Sequence, residues 1–189
     1  KDKQNIYLYA GDIDIKMKLV KPFIGLSLSK SDKYHIKHNV NFSMGLNDNT
    51  VNIYQSEDVF EHIEYNNLIN IFNEIYRVLK PGGLFRLSMP DYRCNILYQR
   101  SLKKKDGSIY HDPGGGGKYD NVNKKVINGG HVWFPKYESV LELFEKSNFN
   151  IDNVKFLHYY DENNIPHLNY IDYTKGHIHR TPDFDKRVQ

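Results

Sequence analysis

Three residues able to handle a proton lie close together: Asp58, Glu61 and His62, at i, i+3 and i+4. If a helix begins near Asp58, this spacing projects two carboxylates and an imidazole from one face. His62 then reads as a general base lining a pocket. The competing reading is structural, with Asp58 capping the helix and Glu61 favouring its first turn. His131, in Gly129-Gly130-His131-Val132-Trp133-Phe134, follows a glycine-rich stretch and precedes a helical pattern. It reads either as a base or as a histidine packed beside Trp133. Asp91 follows Pro90 at the end of a candidate strand. It is either a turn residue or an acid at the carboxyl edge of a sheet, where open α/β folds bind ligands. His158, His167, His177 and His179 form no spaced ligand set.

The elements that must position these side chains follow from hydrophobic periodicity. Leu68, Ile71, Phe72, Ile75, Val78 and Leu79 recur at intervals of three and four, which predicts one face of an amphipathic helix. Pro81 cannot continue it, and Gly82 or Gly83 can take the positive φ of a reversal. Leu84 to Met89 is then a strand closed by Pro90. A phosphate cradle needs strand, glycines, then helix, because the helix N-terminus supplies the N–H groups. Here the order is helix, glycines, strand, so Pro-Gly-Gly is a turn. Short β-prone runs at Ile6–Ala10, Phe23–Leu28 and Val51–Tyr54 precede this unit. Tyr137, Val140, Leu141 and Phe144 predict a second helix, closed at Asn148, with strands expected over Val154–Tyr160 and within Leu168–Ile178. Alternation of strands and helices predicts an α/β sheet.

Ser101 to Gly130 lacks apolar periodicity and contains Gly114-Gly115-Gly116-Gly117. It is not a P-loop: position 112 is Asp rather than Gly, and Tyr119 follows Lys118 where Ser or Thr is required. A stretch of that length in a compact domain is expected to be a functional lid or a mobile insertion.

The chain has 189 residues, which suits one domain over 1–189. Hydrophobic residues at 39% and aromatics at 14% suffice for a core, and 15 Tyr against 10 Phe give many rings a polar tip. The net charge of +3 is dispersed, and Lys103-Lys104-Lys105 reads as a solvated loop face rather than a nucleic-acid footprint. Cys94 stands alone, which excludes an internal disulfide and a Cys-rich zinc site and fits a reducing compartment. No apolar run reaches the ~20 residues of a spanning helix, so a cytoplasmic protein without membrane or nucleic-acid partners is expected.

Three segments together carry a resemblance: Asp58-Val59-Phe60-Glu61-His62-Ile63, then Arg77-Val78-Leu79-Lys80-Pro81-Gly82-Gly83 with its strand to Pro90-Asp91, then Tyr137 to Phe149. The combination resembles the type 11 branch of the class I S-adenosylmethionine-dependent methyltransferases, over roughly residues 5 to 180. The resemblance implies a Rossmann-like fold: a mostly parallel sheet with an antiparallel last strand and helices on both faces. It implies S-adenosylmethionine as cofactor, held near Ala10, Gly11 and Asp12 after the first strand, Ser27 after the second, Asn39 near the adenine, and Ser56 and Glu57 at the methionine end. It places catalysis on His62, His131 and Asp91, with Tyr92 and Arg93 near the substrate. Ubiquinone-biosynthesis and small-RNA 2′-O-methyltransferases carry a similar acidic-x-x-Glu-His that binds a divalent cation. By that likeness Asp58, Glu61 and His62 would bind a cation such as Mg²⁺, and His131 could complete the site.

Two features depart from the family pattern. The first strand ends in Ala10-Gly11-Asp12, with one glycine in place of a GxGxG turn, and Ser27 stands where an acid normally grips the ribose. A carboxylate there is worth ~1.5–3 kcal/mol per charged hydrogen bond, so its loss weakens binding roughly ten- to a hundred-fold. Only about a dozen residues join the first two strands, so a loop is expected where a helix usually stands. The function expected is methyl transfer to a small acceptor, a hydroxyl of a sugar or glycan precursor. The alternative is a degenerate methyltransferase fold acting as a binding or scaffold protein. A dinucleotide oxidoreductase would need strand–GxGxxG–helix near the start, which is absent.

Overall fold

The computed structural model describes residues 5–14 and 22–175. Most of the short connection after the first strand (15–21) and the segment 176–189 lie outside them, as do the end of the last expected strand and the tail Arg180–Arg187. Five strands make the central sheet: β1 (Tyr7–Ala10), β2 (Ile24–Ser27), β3 (His35–Lys37), β4 (Val51–Glu57) and β5 (Leu79–Ser88), in the order β3-β2-β1-β4-β5. Every pairing among them is parallel. Strand order reverses between β1 and β4, and the carboxyl ends of these two strands flank the crevice where such sheets bind ligands. This is the α/β, Rossmann-like architecture expected.

Helix α1 (Tyr65–Val78) forms for the reason its spacing gives: Leu68, Ile71, Phe72, Ile75 and Val78 are all buried along one face. Helix α3 (Tyr137–Lys146) adds Leu143 and Phe144 to the same core. Phe72 sits at its centre, with the rings of Phe60, Phe85 and Phe144 5.9, 5.3 and 5.0 Å away. The chain passes from α1 into β5 without a loop. Pro81-Gly82-Gly83 is absorbed as an irregularity, since the register jumps from Val51 opposite Leu79 to Ile53 opposite Leu84. Gly82 has φ +75°, and a Cβ on Gly83 would meet the Lys80 carbonyl at 2.8 Å. Helix, glycines and strand thus follow in the order read from the sequence, and no helix N-terminus faces the glycines.

Three expectations are corrected. A third strand, β3, was not legible; His35–Lys37 is only three residues long and flanked by polar ones. The antiparallel strand does not join the central sheet among the described residues. Instead β10 (His158–Tyr160) pairs with β11 (Pro166–Leu168). A local turn explains this: the Asp161 carboxylate accepts from the N–H groups of Asn163 and Ile165, and Asn164 takes φ +59°. Residues 154–157, expected as strand, are not part of a ladder; Phe156 meets Tyr137 of α3 edge-to-face, and Tyr159 stacks on the same ring.

Between β5 and α3 lie α2 (Asn95–Arg100) and two small antiparallel pairs: β6 (Leu102–Lys103) with β7 (Ile109–His111), and β8 (Lys118–Asp120) with β9 (Lys125–Ile127). The segment 101–130 therefore has secondary structure of its own, linked by the rings of Tyr110 and Tyr119 4.6 Å apart.

Residues 43–48 are clasped to α1 by one carboxylate. Glu74 accepts from the Ser43 hydroxyl, the Met44 N–H and the Arg77 guanidinium, and Arg77 also reaches Leu46 O and Asp48. The Arg77 guanidinium, opposed by burial and aided by Met44 and Ser43, holds the Glu74 carboxyl at about 2. A carboxyl depressed in the folded state stabilises fully above its ordinary value near 4.5 and loses that contribution as pH falls towards 2. Glu74→Gln is therefore expected to lower stability at neutral pH by about 1–2 kcal/mol. In urea melts across the acid range, the gap from the unmodified protein should close as pH falls from 4.5 towards 2.

Candidate active site

Beyond β4 the chain turns sharply at Asp58, which has φ +51° and donates its N–H to Ser88 O at 3.1 Å. A single 3-10 turn, Phe60–His62, follows, and α1 starts only at Tyr65. No helix runs from Asp58 to His62, so the three residues do not share a helical face. Asp58 lies outside the cluster that forms. That cluster is Glu61, His62 and His131, with one ligand-type atom from each within 4.8 Å of the others.

Two backbone contacts bring His131 there across about seventy residues of chain. Val132 N–H donates to Glu61 O at 2.9 Å, and the Trp133 indole N–H donates to Phe60 O at 2.8 Å. Trp133 is seated edge-to-face against Tyr65, 5.0 Å between centroids. The three side chains differ in access. Glu61 is fully buried, His131 nearly so, and His62 is a third exposed at the mouth. Nε2 of His131 lies 3.6 Å from Glu61 Oε1 and Nε2 of His62 4.0 Å from it, and the two imidazole rings stand edge-to-face at 4.7 Å. Two imidazole nitrogens and a carboxylate oxygen thus converge on one small volume.

Behind His131 is a buried polar array. Its Nδ1 lies 2.5 Å from the Tyr92 hydroxyl, which donates to Asp112 Oδ2 at 2.6 Å. Asp112 is also forked by Arg100, at 2.9 Å from Nε and 2.7 Å from Nη2, and accepts the Gly114 N–H at 2.9 Å. Burial opposes the Asp112 charge, but Arg100, Tyr92 and Gly114 N–H outweigh it and hold the carboxyl below its ordinary range. Burial, and then the Asp112 carboxylate, push the Tyr92 hydroxyl well above the usual tyrosine value, so it keeps its proton. Tyr92, expected near the substrate, is wholly buried against His131 and Phe134. Arg93, also expected near substrate, pairs with Glu138 of α3.

Asp91 is turned elsewhere. Its two oxygens accept the N–H groups of Arg93 and Tyr160 at 2.9 and 2.8 Å, tying β10 to the end of β5. Burial raises its carboxyl.

At the β1–β4 crevice, Ala10 is fully buried and Gly11 turns with φ +101°, where a Cβ would lie 3.5 Å from Val59 Cγ2. Ser56, one residue before the end of β4, is wholly buried with no partner for its hydroxyl. Glu57, also buried, accepts from the Gln55 amide at 2.7 Å. The end of β2 differs from a ribose site. Ser27 Oγ accepts from Ser29 N and Lys30 N at 3.1 and 2.9 Å, closing its own turn. Asp12 reaches across to Lys30 Nζ at 2.9 Å, and Lys30, then Ser27, hold its carboxyl below the ordinary range. Asn39 is exposed and caps a local turn, accepting from Asn41. Asp14 is exposed.

Sequence reasoning missed four residues that shape this site. His35 latches the loop after β1, accepting the Ile13 N–H at its Nε2 while Nδ1 pairs with Asp32. Its ring fills the space beside Gly25, where a Cβ would meet it at 2.6 Å. Trp133 was read only as a neighbour of His131. Arg100 and Asp112 carried no motif, since their pairing spans 12 residues and a hairpin. Asp112-Pro113, opening a turn before the glycines, was the one available signal. Removing Arg100 should leave the buried Asp112 charge without its guanidinium. Arg100→Ala is expected to cost about 2–4 kcal/mol in urea denaturation, and adding Asp112→Asn should recover part of that.

Residues 13–87 match the family model of the methyltransferase domain. They run from the loop after β1 to Leu87 of β5 and include four of the five parallel strands. No curated protein matches the chain. The matched segment contains Glu61 and His62 and the β4 side of the strand reversal, and its family ordinarily uses S-adenosylmethionine. That match and that strand order make residues 13–87 similar to the methyltransferase domain, set in a Rossmann-like parallel sheet.

Proposed function

We propose that this protein transfers a methyl group from S-adenosylmethionine to a hydroxyl of a small acceptor, a sugar or glycan precursor, in the cytoplasm. The observation that carries the reading is the convergence of Glu61, His62 and His131 beside the strand reversal of a methyltransferase sheet. S-adenosylmethionine supplies a methyl group already activated on a sulfonium. What remains for the chain is to align the acceptor and take its proton. His62, the most exposed of the three, meets the acceptor first, and His131 or His62 accepts the proton as the hydroxyl attacks. The short connection between β1 and β2 resembles that of glycan-associated members of the family, which favours a sugar acceptor. No helix among the described residues is long and apolar enough to cross a membrane.

The residues present fit the methionine end of the cofactor better than the ribose end. Gly11 gives close approach, and the buried Ser56 hydroxyl offers an unused hydrogen bond. At the end of β2 the anionic group beside Ser27 is Asp12, so Asp12 would take the ribose hydroxyls once released from Lys30. Two imidazoles and a carboxylate can also hold a divalent cation, which would lower the acceptor's pKa. Imidazole donors suit Mn²⁺ or Zn²⁺ better than Mg²⁺, so Mn²⁺ should bind more tightly than the Mg²⁺ first expected.

A second reading has its own support. Ser27 closes its own turn and Asp12 is paired with Lys30, as they would be in a scaffold protein that binds no cofactor. Calorimetric titration of S-adenosylmethionine and S-adenosylhomocysteine separates the two. Micromolar binding, weakened about ten- to a hundred-fold in Asp12→Asn, is the expected result. Silence at millimolar ligand, on folded protein, would favour the scaffold. For the cation, Mn²⁺ titration should give heat that disappears in Glu61→Gln. No heat from either Mn²⁺ or Mg²⁺ would leave the three side chains as a metal-free proton acceptor.

A further inference from the structure

The array behind His131 contains few protons, and their placement is constrained. Asp112 accepts from four donor groups, Nε and Nη2 of Arg100, Gly114 N–H and the Tyr92 hydroxyl, and an ionised carboxylate has no hydrogen to give. A tyrosine hydroxyl has one hydrogen, and here Asp112 takes it. The Tyr92 oxygen can therefore meet His131 Nδ1, 2.5 Å away, only as an acceptor. Nδ1 must then carry the ring hydrogen. In a neutral imidazole that leaves Nε2 as the lone-pair nitrogen, and Nε2 is the atom on the Glu61 side.

We propose that Tyr92 and Asp112, with Arg100 behind them, are positioning residues that hold His131 with its proton on Nδ1 and present Nε2 as an acceptor towards Glu61 and His62. A hydrogen bond at the nitrogen that does not react fixes the tautomer of many functional histidines. Burial supports it here: Tyr92 and Asp112 are closed to bulk solvent, and the donors around Asp112 come from the chain itself. The ring is also held from the glycine side, since a Cβ on Gly115 would lie 2.6 Å from both Cγ and Nδ1 of His131. The glycine run thus has a specific task at Gly115, which is to let the loop lie flat on this imidazole.

That Nε2 matters for methyl transfer rests on the function proposed above. The tautomer does not, and it can be read without cofactor, cation or acceptor. Nitrogen–proton correlation NMR of the imidazole, on the unmodified protein at a pH where the ring is neutral, should report hydrogen on Nδ1 of His131. In Tyr92→Phe that signature should be lost to a mixture of tautomers. In Asp112→Asn the Tyr92 proton is freed to turn towards Nδ1, and the ring should move to the Nε2–H form. Hydrogen on Nε2 in the unmodified protein would overturn the proposal, as would an unchanged Nδ1–H signature in either variant that folds. If neither variant folds, the unmodified spectrum decides alone. A role confined to stability would leave the tautomer where it was.

Discussion

The turn Phe60–His62 and the segment 131–133 meet through two hydrogen bonds to main-chain oxygens, from Val132 N–H to Glu61 O and from the Trp133 indole to Phe60 O. The convergence of Glu61, His62 and His131 depends on that junction. Without it Glu61 would be a buried carboxylate beside a partly exposed histidine, an arrangement that costs desolvation and recovers little. With it, a second imidazole arrives carrying its own hydrogen-bonded support. The junction is rigid because both sides belong to the core: Phe60 packs among Phe72 and Phe85, while Trp133 lies on Tyr65 at the start of α1. The aromatic core and the polar cluster are therefore one construction, with the main chain of residues 60–62 as its hinge between apolar and polar sides.

Much of the scaffold was legible in the sequence, because burial imposes a period. Of the stripe Leu68, Ile71, Phe72, Ile75, Val78 and Leu79, the first five are the buried face of α1, and Leu79 instead opens β5. What could not be read were pairings decided by short local turns. The Asp161 turn folds β11 back on β10, and no periodicity in three-residue strands can announce that choice. β3 escaped for the same reason. His35 is its only buried residue, and a histidine is not counted as a core side chain until its partners, Ile13 N–H and Asp32, are seen.

The site was legible by residue type and illegible by grouping. Glu61, His62 and His131 were each singled out. The first two were assigned to a helical face with Asp58, and the positive φ of Asp58 removes that face. Side chains separated by a strand–turn boundary do not obey helical spacing. The glycine run misled in the opposite sense. Glycine has two uses, freedom of the chain and close approach of backbones, and sequence cannot tell them apart. Here approach dominates: Cβ atoms on Gly114, Gly115, Gly117 and Gly130 would each fall within 2.6 Å of Arg100, His131 or neighbouring main chain.

The two ends of the crevice have been built on different principles. At the His131 end, charge is neutralised internally by an arginine fork, and the polar groups already have their partners before any ligand arrives. At the β2 end, Lys30 neutralises Asp12 on an exposed surface, where such a pair is worth little and breaks readily. A ligand bringing its own hydroxyls could displace Lys30 at small cost, whereas nothing could enter the Asp112 array without leaving a buried charge unmatched. The structure is preorganised where proton transfer would occur and adaptable where a cofactor would be held. That asymmetry lets the missing ribose acid be compatible with a working site, because a weak exposed ion pair is a reserve of binding groups rather than a lock.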